Sequence, residues 1–81
     1  MQVLYFAWLK ERTGVGAEDI TTNAATARDL VAELTTRGPG YEAAFADLSA
    51  IRVAVDQEMV ELDASIEGAR EVAFFPPVTG G

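Results

Sequence analysis

One amphipathic helix stands out among several short apolar segments, and it limits the folds open to this chain. Apolar residues at i, i+3, i+4 and i+7 lie on one face of a helix. The chain has this spacing at Ala27, Leu30, Val31 and Leu34. Thr26 is a suitable N-cap, and Gly38 followed by Pro39 is expected to end the helix, which is predicted over residues 27–37. This apolar stripe must pack against the other apolar segments.

Those other segments have the composition and alternation of β-strands. Strands are predicted at residues 3–8, 19–22, 51–55, 59–62 and 71–75. A short turn-helix is expected after the first strand, a second helical turn is expected at residues 41–48, and a tight turn at residues 56–58. One main helix between pairs of strands predicts an α+β fold, in which a mixed sheet is covered on one face.

Length and residue content exclude many functions. With 81 residues the chain is expected to form a single domain with a small core. It contains no cysteine and no histidine, which excludes disulfide scaffolds, thiolate nucleophiles, Cys/His zinc sites and histidine triads within the chain. The apolar run at residues 3–9 is too short to span a membrane and lacks the pattern of a signal peptide. A cytoplasmic location is expected.

The charge favours a basic protein partner. The formal net charge is −7, which disfavours nucleic acid and anionic membranes. Two acidic pairs, Glu18 with Asp19 and Glu58 with Glu61, are predicted to be solvated surface rather than catalytic carboxylates. Ion pairs with a partner are conceivable for three arginines, but exposed arginines often contribute little, so none is counted as a site residue. They are Arg12, Arg52 and Arg70.

The sequence PPVTGG at residues 76–81 differs from the rest of the chain. Pro76 and Pro77 lack N–H groups and favour an extended backbone, so they are expected to end the last strand. Gly80 and Gly81 have no side chain and could enter a channel too narrow for a Cβ atom. Simple fraying of the terminus is the alternative. The pattern favours a functional tail that reaches about 20 Å from the domain when extended.

Three segments together resemble the family of small, sulfur-carrying subunits of molybdopterin synthase. They are VLYFAWLKERTG, RVAVDQEMV and VAFFPPVTGG, and the resemblance covers essentially all 81 residues. It implies a ubiquitin-like β-grasp domain at residues 1–75 and an extended C-terminal tail at residues 76–81. The chain departs from the family at Asp56, where asparagine is common, and at residues 68–70, where a Gly-Asp turn is frequent.

The resemblance also implies a role for the tail. An activating enzyme would use ATP to adenylate the Gly81 carboxylate, a persulfide would convert it to a thiocarboxylate, and this sulfur would pass to a cyclic pyranopterin precursor of molybdopterin. The implied partners are the large synthase subunit, an E1-like adenylyltransferase and a sulfur donor protein, with a heterotetramer of large and small subunits. No cofactor or metal bound by this chain is implied, and the catalytic groups are expected on the large subunit.

Partner contacts are expected along the tail and its root. The predicted contact residues are Phe75, Pro76, Pro77, Val78, Thr79 and Gly80. Phe74 and Phe75 lie on opposite faces of a regular strand, so one belongs to the core and one to the surface. Sharing a face with Val72 favours Phe74 as the core residue, although the sequence leaves the choice open. Met59 and Leu62 could extend a docking surface, but core packing is favoured for both.

Three alternatives remain for the function. One is a sulfur carrier for thiamine synthesis or tRNA thiolation, although such chains typically lack the FFPP segment found here. Another is a ubiquitin-like protein modifier joined to lysines of target proteins, for which the single lysine of this chain, Lys10, leaves little scope for chain building. The third is an interaction module with an inert tail, which would keep its activity after removal of Gly81.

Overall fold

The computed structural model describes residues 1–77 of the chain. In this range, five strands form one mixed sheet in the order β2-β1-β5-β3-β4. The strands are β1 (Gln2–Tyr5), β2 (Ala17–Asp19), β3 (Arg52–Val55), β4 (Glu58–Val60) and β5 (Glu71–Phe75). The helices are α1 (Trp8–Thr13), α2 (Ala27–Thr35) and α3 (Pro39–Ala44), and a single 3₁₀ turn covers Leu48–Ala50. The predicted α+β class is confirmed.

Strand β5 lies at the centre of this sheet. It pairs in parallel with β1 and antiparallel with β3, so both of its edges are hydrogen-bonded. Its bounds, Glu71–Phe75, are those predicted from the sequence. A central strand has no free edge, and its last residue is therefore held firmly in place.

The main helix forms as its sequence predicts. The Thr26 hydroxyl accepts a hydrogen bond from the Asp29 backbone N–H at 3.1 Å, which caps the N-terminus of α2. The predicted apolar stripe is buried against the sheet. The helix ends at Thr35, before the predicted residue 37, and Gly38 and Pro39 form the N-cap and first residue of α3. Pro39 therefore begins a new helix, because its missing N–H is not needed at that position.

The first two strands differ from their predictions. Strand β1 ends at Tyr5 instead of residue 8, and α1 begins at Trp8 after Ala7, whose φ is 54°. Strand β2 lies at residues 17–19 instead of 19–22. Ile20, the apolar residue that suggested the later strand, is buried just beyond the end of β2. The antiparallel pairing with the short strand β1 sets these bounds.

A tight turn joins β3 to β4 and is fastened to the start of β5. Asp56 and Gln57 have φ values of 49° and 71°, as in the turns that favour Asn-Gly in two-residue hairpins. One oxygen of the Asp56 carboxylate, Oδ1, accepts hydrogen bonds from the backbone N–H groups of Arg70 and Glu71. Strand β4 covers residues 58–60 instead of 59–62.

Helices α1 and α3 approach each other closely. A Cβ atom at Gly40 would lie 2.3 Å from the carbonyl oxygen of Arg12, so only glycine fits there. The Arg12 side chain donates a hydrogen bond to the Ala43 carbonyl oxygen and its guanidinium lies 4.5 Å from the centre of the Trp8 ring. The Arg12 side chain thus makes contacts within the domain that connect α1 to α3.

Candidate functional site

The candidate site begins where β5 ends. Of the residues predicted to contact partners, Phe75, Pro76 and Pro77 are described by the structure, and all three are partly buried. The other predicted site residues lie outside the described residues. They are Val78, Thr79, Gly80 and the reactive residue Gly81.

Two neighbouring phenylalanines of β5 have different surroundings. Phe74 is fully buried, and its ring lies 5.1 Å from the Phe45 ring and 6.4 Å from the Tyr5 ring, centre to centre. Val72 is also fully buried, so the pairing favoured from the sequence is correct. Phe75 points to the opposite side of the sheet and is partly exposed. The residue beside the tail is therefore Phe75.

The side of the sheet that carries Phe75 is called the outer face here. Its apolar residues are Leu4, Phe6, Ala54, Met59, Ala73 and Phe75. Strand pairing aligns four of them across the sheet, since Leu4 lies opposite Ala73, Ala73 opposite Ala54, and Ala54 opposite Met59. The main helix packs on the other side of the sheet, against the face that contains Val3 and Phe74.

Two large side chains of the outer face are strongly exposed. Phe6 is 48% exposed and Met59 is 59% exposed. The Phe6 backbone N–H donates to the Phe74 carbonyl oxygen at 3.1 Å, which places Phe6 beside Phe75 at the end of β5. Exposed apolar side chains on one face of a sheet are typical of protein-binding surfaces.

The amino-acid sequence predicted only part of this surface. Core packing was favoured for Met59 and is wrong, whereas Leu62 does pack against the core as favoured. Phe6 was placed within the predicted strand at residues 3–8, whereas it lies just beyond the end of β1 and is exposed. Alternation along β1 carries the missing signal, because Val3 and Tyr5 are buried and Phe6 has the opposite parity.

The three exposed arginines lie in different places. Arg12 contacts Trp8 and Ala43, as described above. Arg70 immediately precedes β5 and is therefore at the end of that strand away from the tail. Arg52 is the first residue of β3 and lies directly opposite Phe75. Of the three, Arg52 is thus the arginine that lies at the root of the tail.

Glu18 is not solvated surface, contrary to its prediction. Its side chain is 19% exposed, and its Oε2 atom accepts hydrogen bonds from the hydroxyls of Tyr5 and Tyr41 at 2.8 and 2.7 Å. Its Oε1 atom pairs with the Arg37 guanidinium at 3.0 Å. Asp19, by contrast, is exposed and pairs with the N-terminal ammonium group. Glu18 therefore joins β2 to β1 and to the α2–α3 corner.

This arrangement affects both tyrosines. Burial raises the pKa of Tyr5 well above its usual range, and the hydrogen bond to Glu18 and the negative charge of Glu18 add to the increase. The pKa of Tyr41 is also raised, chiefly by burial and then by Glu18, although Arg37 opposes the change. Both hydroxyls are neutral donors at ordinary pH, so the cluster is a structural clamp.

Two other kinds of site are absent from residues 1–77. No group of three or more acidic, histidine or cysteine side chains in this range could hold a metal ion. No helix within the same residues has the length and apolarity needed to cross a bilayer. The most distinctive surface of the described domain is thus the outer face and its continuation into Pro76 and Pro77.

The sequence matches a known family over nearly its whole length. The ThiS family profile covers residues 3–81, which includes the two terminal glycines. The match therefore extends from the first strand through the tail.

Two curated relatives and one solved structure define the similarity further. The chain is 35% identical over 81 residues to the molybdopterin synthase sulfur carrier subunit of Haemophilus influenzae, covering 100% of this chain and 99% of that protein. It is 40% identical over 86 residues to the human protein of the same name, covering 100% and 93%. The structure of SAMP1, a small archaeal modifier protein from Haloferax volcanii, superposes with a TM-score of 0.75 at 30% identity, covering 100% and 98%.

Proposed function

This chain belongs to the ThiS family, and on that basis we propose that it is the sulfur carrier subunit of a molybdopterin synthase. The observation that carries the proposal is the full-length similarity to proteins with that name, together with a family match that includes Gly80 and Gly81. The domain would hold and present the tail, and the tail would carry the sulfur.

The proposed chemistry takes place at the carboxylate of Gly81. A carboxylate is a poor electrophile, so attack of its oxygen on the α-phosphorus of ATP would form an acyl adenylate and release pyrophosphate. The outer sulfur of a persulfide would then attack the carbonyl carbon and displace AMP. A thiol would cleave the resulting acyl disulfide, which leaves the thiocarboxylate and a disulfide. The anionic sulfur of the thiocarboxylate is the nucleophile for transfer, by analogy with thiolates.

Catalytic groups for these steps would come from partner proteins. The chain contains no histidine and no cysteine, and Lys10 is its single lysine. The activating enzyme would bind ATP and Mg²⁺, and the large synthase subunit would bind the anionic pterin precursor and stabilise the developing charge. Gly81 would then act as the reactive group of a carrier. Two large and two small subunits would form the complete synthase.

We further propose that the outer face docks on the large subunit. Phe6 and Met59 are exposed and Phe75 joins the same surface directly to the tail. Burial of this apolar surface would supply binding free energy, while the polar backbone of the tail enters the partner's active site. Docking and sulfur delivery would therefore share one continuous surface.

Reconstitution tests this function. The verified thiocarboxylate form, the large subunit and the cyclic pyranopterin precursor should together yield the dithiolene of molybdopterin. A chain that lacks Gly81 is the matched control, and it should give no product while its melting temperature stays nearly unchanged, because a terminal glycine buries little surface. Failure of the verified thiocarboxylate to yield dithiolene would contradict the proposal.

A second function is favoured by one observation, the structural similarity to SAMP1, a small archaeal modifier protein. The activated Gly81 carboxylate could instead be attacked by a lysine amine of another protein to form an amide bond. Cells that express a tagged form of the chain would then accumulate covalent adducts that resist denaturation and thiol reduction. Such adducts should be absent when Gly81 is removed. A high ratio of adducts to thiocarboxylate would favour the modifier function, and a low ratio would favour the sulfur carrier.

A further inference from the structure

We propose that Arg52 binds a carboxylate of the large subunit and thereby fixes the direction in which the tail enters its partner. This inference rests on the proposed function, because it concerns the same docking event. Arg52 is one of the three exposed arginines that were not counted as site residues from the sequence. Its place in the sheet sets it apart from Arg12 and Arg70.

The first observation is the position of Arg52 relative to the tail. Strand pairing places Arg52 directly opposite Phe75, the last residue of the central strand. Antiparallel partners lie about 5 Å apart. Arg52 therefore lies at the root of the tail, at the point where Pro76 leads away from the sheet.

The second observation is that the Arg52 side chain is already ordered. Its Nη1 atom donates to the carbonyl oxygens of Ser49 and Ile51 at 3.3 and 3.1 Å. The ion pairs of residues 1–77 involve the N-terminal ammonium, Arg28 and Arg37, so Arg52 has no carboxylate partner within that range. A guanidinium has five N–H donors in a planar fork, and those on Nη2 and Nε remain for a ligand. Because the side chain is held in advance, pairing costs less conformational entropy.

The third observation is an open groove of about 620 Å³ next to Arg52. The apolar residues that line it are Leu48, Ile51, Val53, Met59, Val60 and Leu62. Met59 lines both this groove and the outer face, so the two surfaces are continuous. The second arginine of the groove, Arg28, already pairs with Asp63 at 2.7 Å. Glu61 is exposed at the rim, and Arg52 is therefore the cation of the groove that has no ion-pair partner among the described residues.

These features specify the chemistry of the occupant. We infer a surface segment of the large subunit that places an aliphatic side chain in the groove and an aspartate or glutamate against Arg52. The chain as a whole carries a net charge of −7, so long-range attraction favours a basic partner surface. A single acidic residue within such a surface would be repelled by most of this acidic chain and attracted by Arg52, and the pair would fix the register of the complex.

Binding of the large subunit to three forms of the chain tests this proposal. Arg52→Gln should raise the Kd for the large subunit about 30-fold, the lower end of the range for loss of one partner of a buried ion pair. Arg52→Lys should have an intermediate effect, because it keeps the charge and loses the planar fork. Arg70→Gln is the matched control, since it makes the same change at the other end of β5, and it should alter the Kd less than twofold.

The carboxylate itself can be located by alanine substitution of acidic residues on the large subunit. One such substitution should weaken binding of the unchanged chain and have little further effect on Arg52→Gln, which is the signature of a direct pair. Melting temperatures verify that each variant is folded. Equal small effects of Arg52→Gln and Arg70→Gln, with binding of the unchanged chain intact, would overturn the role of Arg52 and leave the proposed function standing. Absence of binding by the unchanged chain would overturn both.

Discussion

The two faces of the sheet contain similar residues and differ in what covers them. On the inner face, which is the side of the sheet that the helices cover, Phe74 packs against Tyr5 and Phe45 and is fully buried. On the outer face, Phe75 is partly exposed beside Phe6, and Met59 is exposed on β4, two strands away. Adjacent phenylalanines on one strand thus serve stability in one case and, in our proposal, binding in the other. The role of a phenylalanine on this strand is therefore set by the face of the sheet to which its side chain points, and not by the residue type.

Substitution of Phe74 should have the largest effect on stability. Phe74→Ala removes a fully buried ring and leaves a cavity, so the free energy of unfolding should fall by about 3–5 kcal/mol. Phe75→Ala is the matched control on the other face, and it should lower stability by less than about 1 kcal/mol, because its side chain remains partly exposed. Urea denaturation of both variants measures the difference. Equal losses would contradict the distinction between the faces.

Glu18 should have the next largest effect. Glu18→Ala leaves the buried Tyr5 hydroxyl without its acceptor and separates Arg37 from its partner, so it should lower the free energy of unfolding by about 2–3 kcal/mol. Glu61→Ala, which removes an exposed carboxylate, should change stability by less than about 0.5 kcal/mol. Chemical denaturation at neutral pH compares the two variants, and a small effect at Glu18 would disprove its role as a clamp.

Alkaline pH should weaken the same clamp. The pKa of Tyr5 is raised in the folded protein above its ordinary value of 10.0, so the neutral hydroxyl is favoured by folding. The stabilisation is complete below pH 10 and is lost as pH rises above that value, because the unfolded chain releases the proton first. The slope should approach about 1.4 kcal/mol per pH unit for one proton. Tyr5→Phe should reduce this slope, and an unchanged slope would contradict the assignment.

Substitutions on the outer face should affect binding more than folding. Met59→Ser and Phe6→Ser should each weaken binding to the large subunit about tenfold, because an apolar contact is lost. The free energy of unfolding should change by less than about 1 kcal/mol, since both side chains are exposed in the isolated domain. Calorimetric titration and thermal melting measure the two effects separately. Loss of folding without loss of affinity per folded molecule would show that this face supports the core.

The smallest effect should come from the β3–β4 turn, which belongs to neither face. Gln57 has a φ of 71°, a conformation that glycine adopts without strain. Gln57→Gly should therefore raise the free energy of unfolding by about 0.5 kcal/mol, after the greater entropy of glycine in the unfolded chain is subtracted. Affinity for the large subunit should not change. A destabilised variant would mean that the side chain of Gln57 makes a contact of its own.

Local pattern predicted some parts of this molecule well. The i, i+3, i+4, i+7 spacing located the buried face of α2, and Thr26 was correctly identified as its cap. The segment EVAFF, ended by Pro76 and Pro77, gave the bounds of β5. These features depend on neighbours in the sequence. Each feature is therefore determined by residues within or next to a single helix or strand.

Other features depend on residues that are far apart in the sequence, and these features were not predicted correctly. The exposure of Phe6 and Met59 follows from which face of the sheet the helices cover. Alternation separates the two faces of a strand, but the choice of the covered face depends on where the helices pack. The burial of Glu18 follows from Tyr5, Tyr41 and Arg37, which the fold brings together from three other segments. The bounds of β2 were wrong because pairing with β1 overrides the β-propensity of the residues that follow Asp19.

The proposed function depends most on the chemistry of Gly81, and intact mass measures that chemistry directly. The chain should be incubated with ATP, the activating enzyme and a persulfide donor, and then analysed with fragmentation of the C-terminal peptide. The expected result is exchange of one oxygen for one sulfur, located on Gly81 and dependent on ATP. An unchanged mass under conditions that activate a known carrier, or sulfur located on any other residue, would contradict the account.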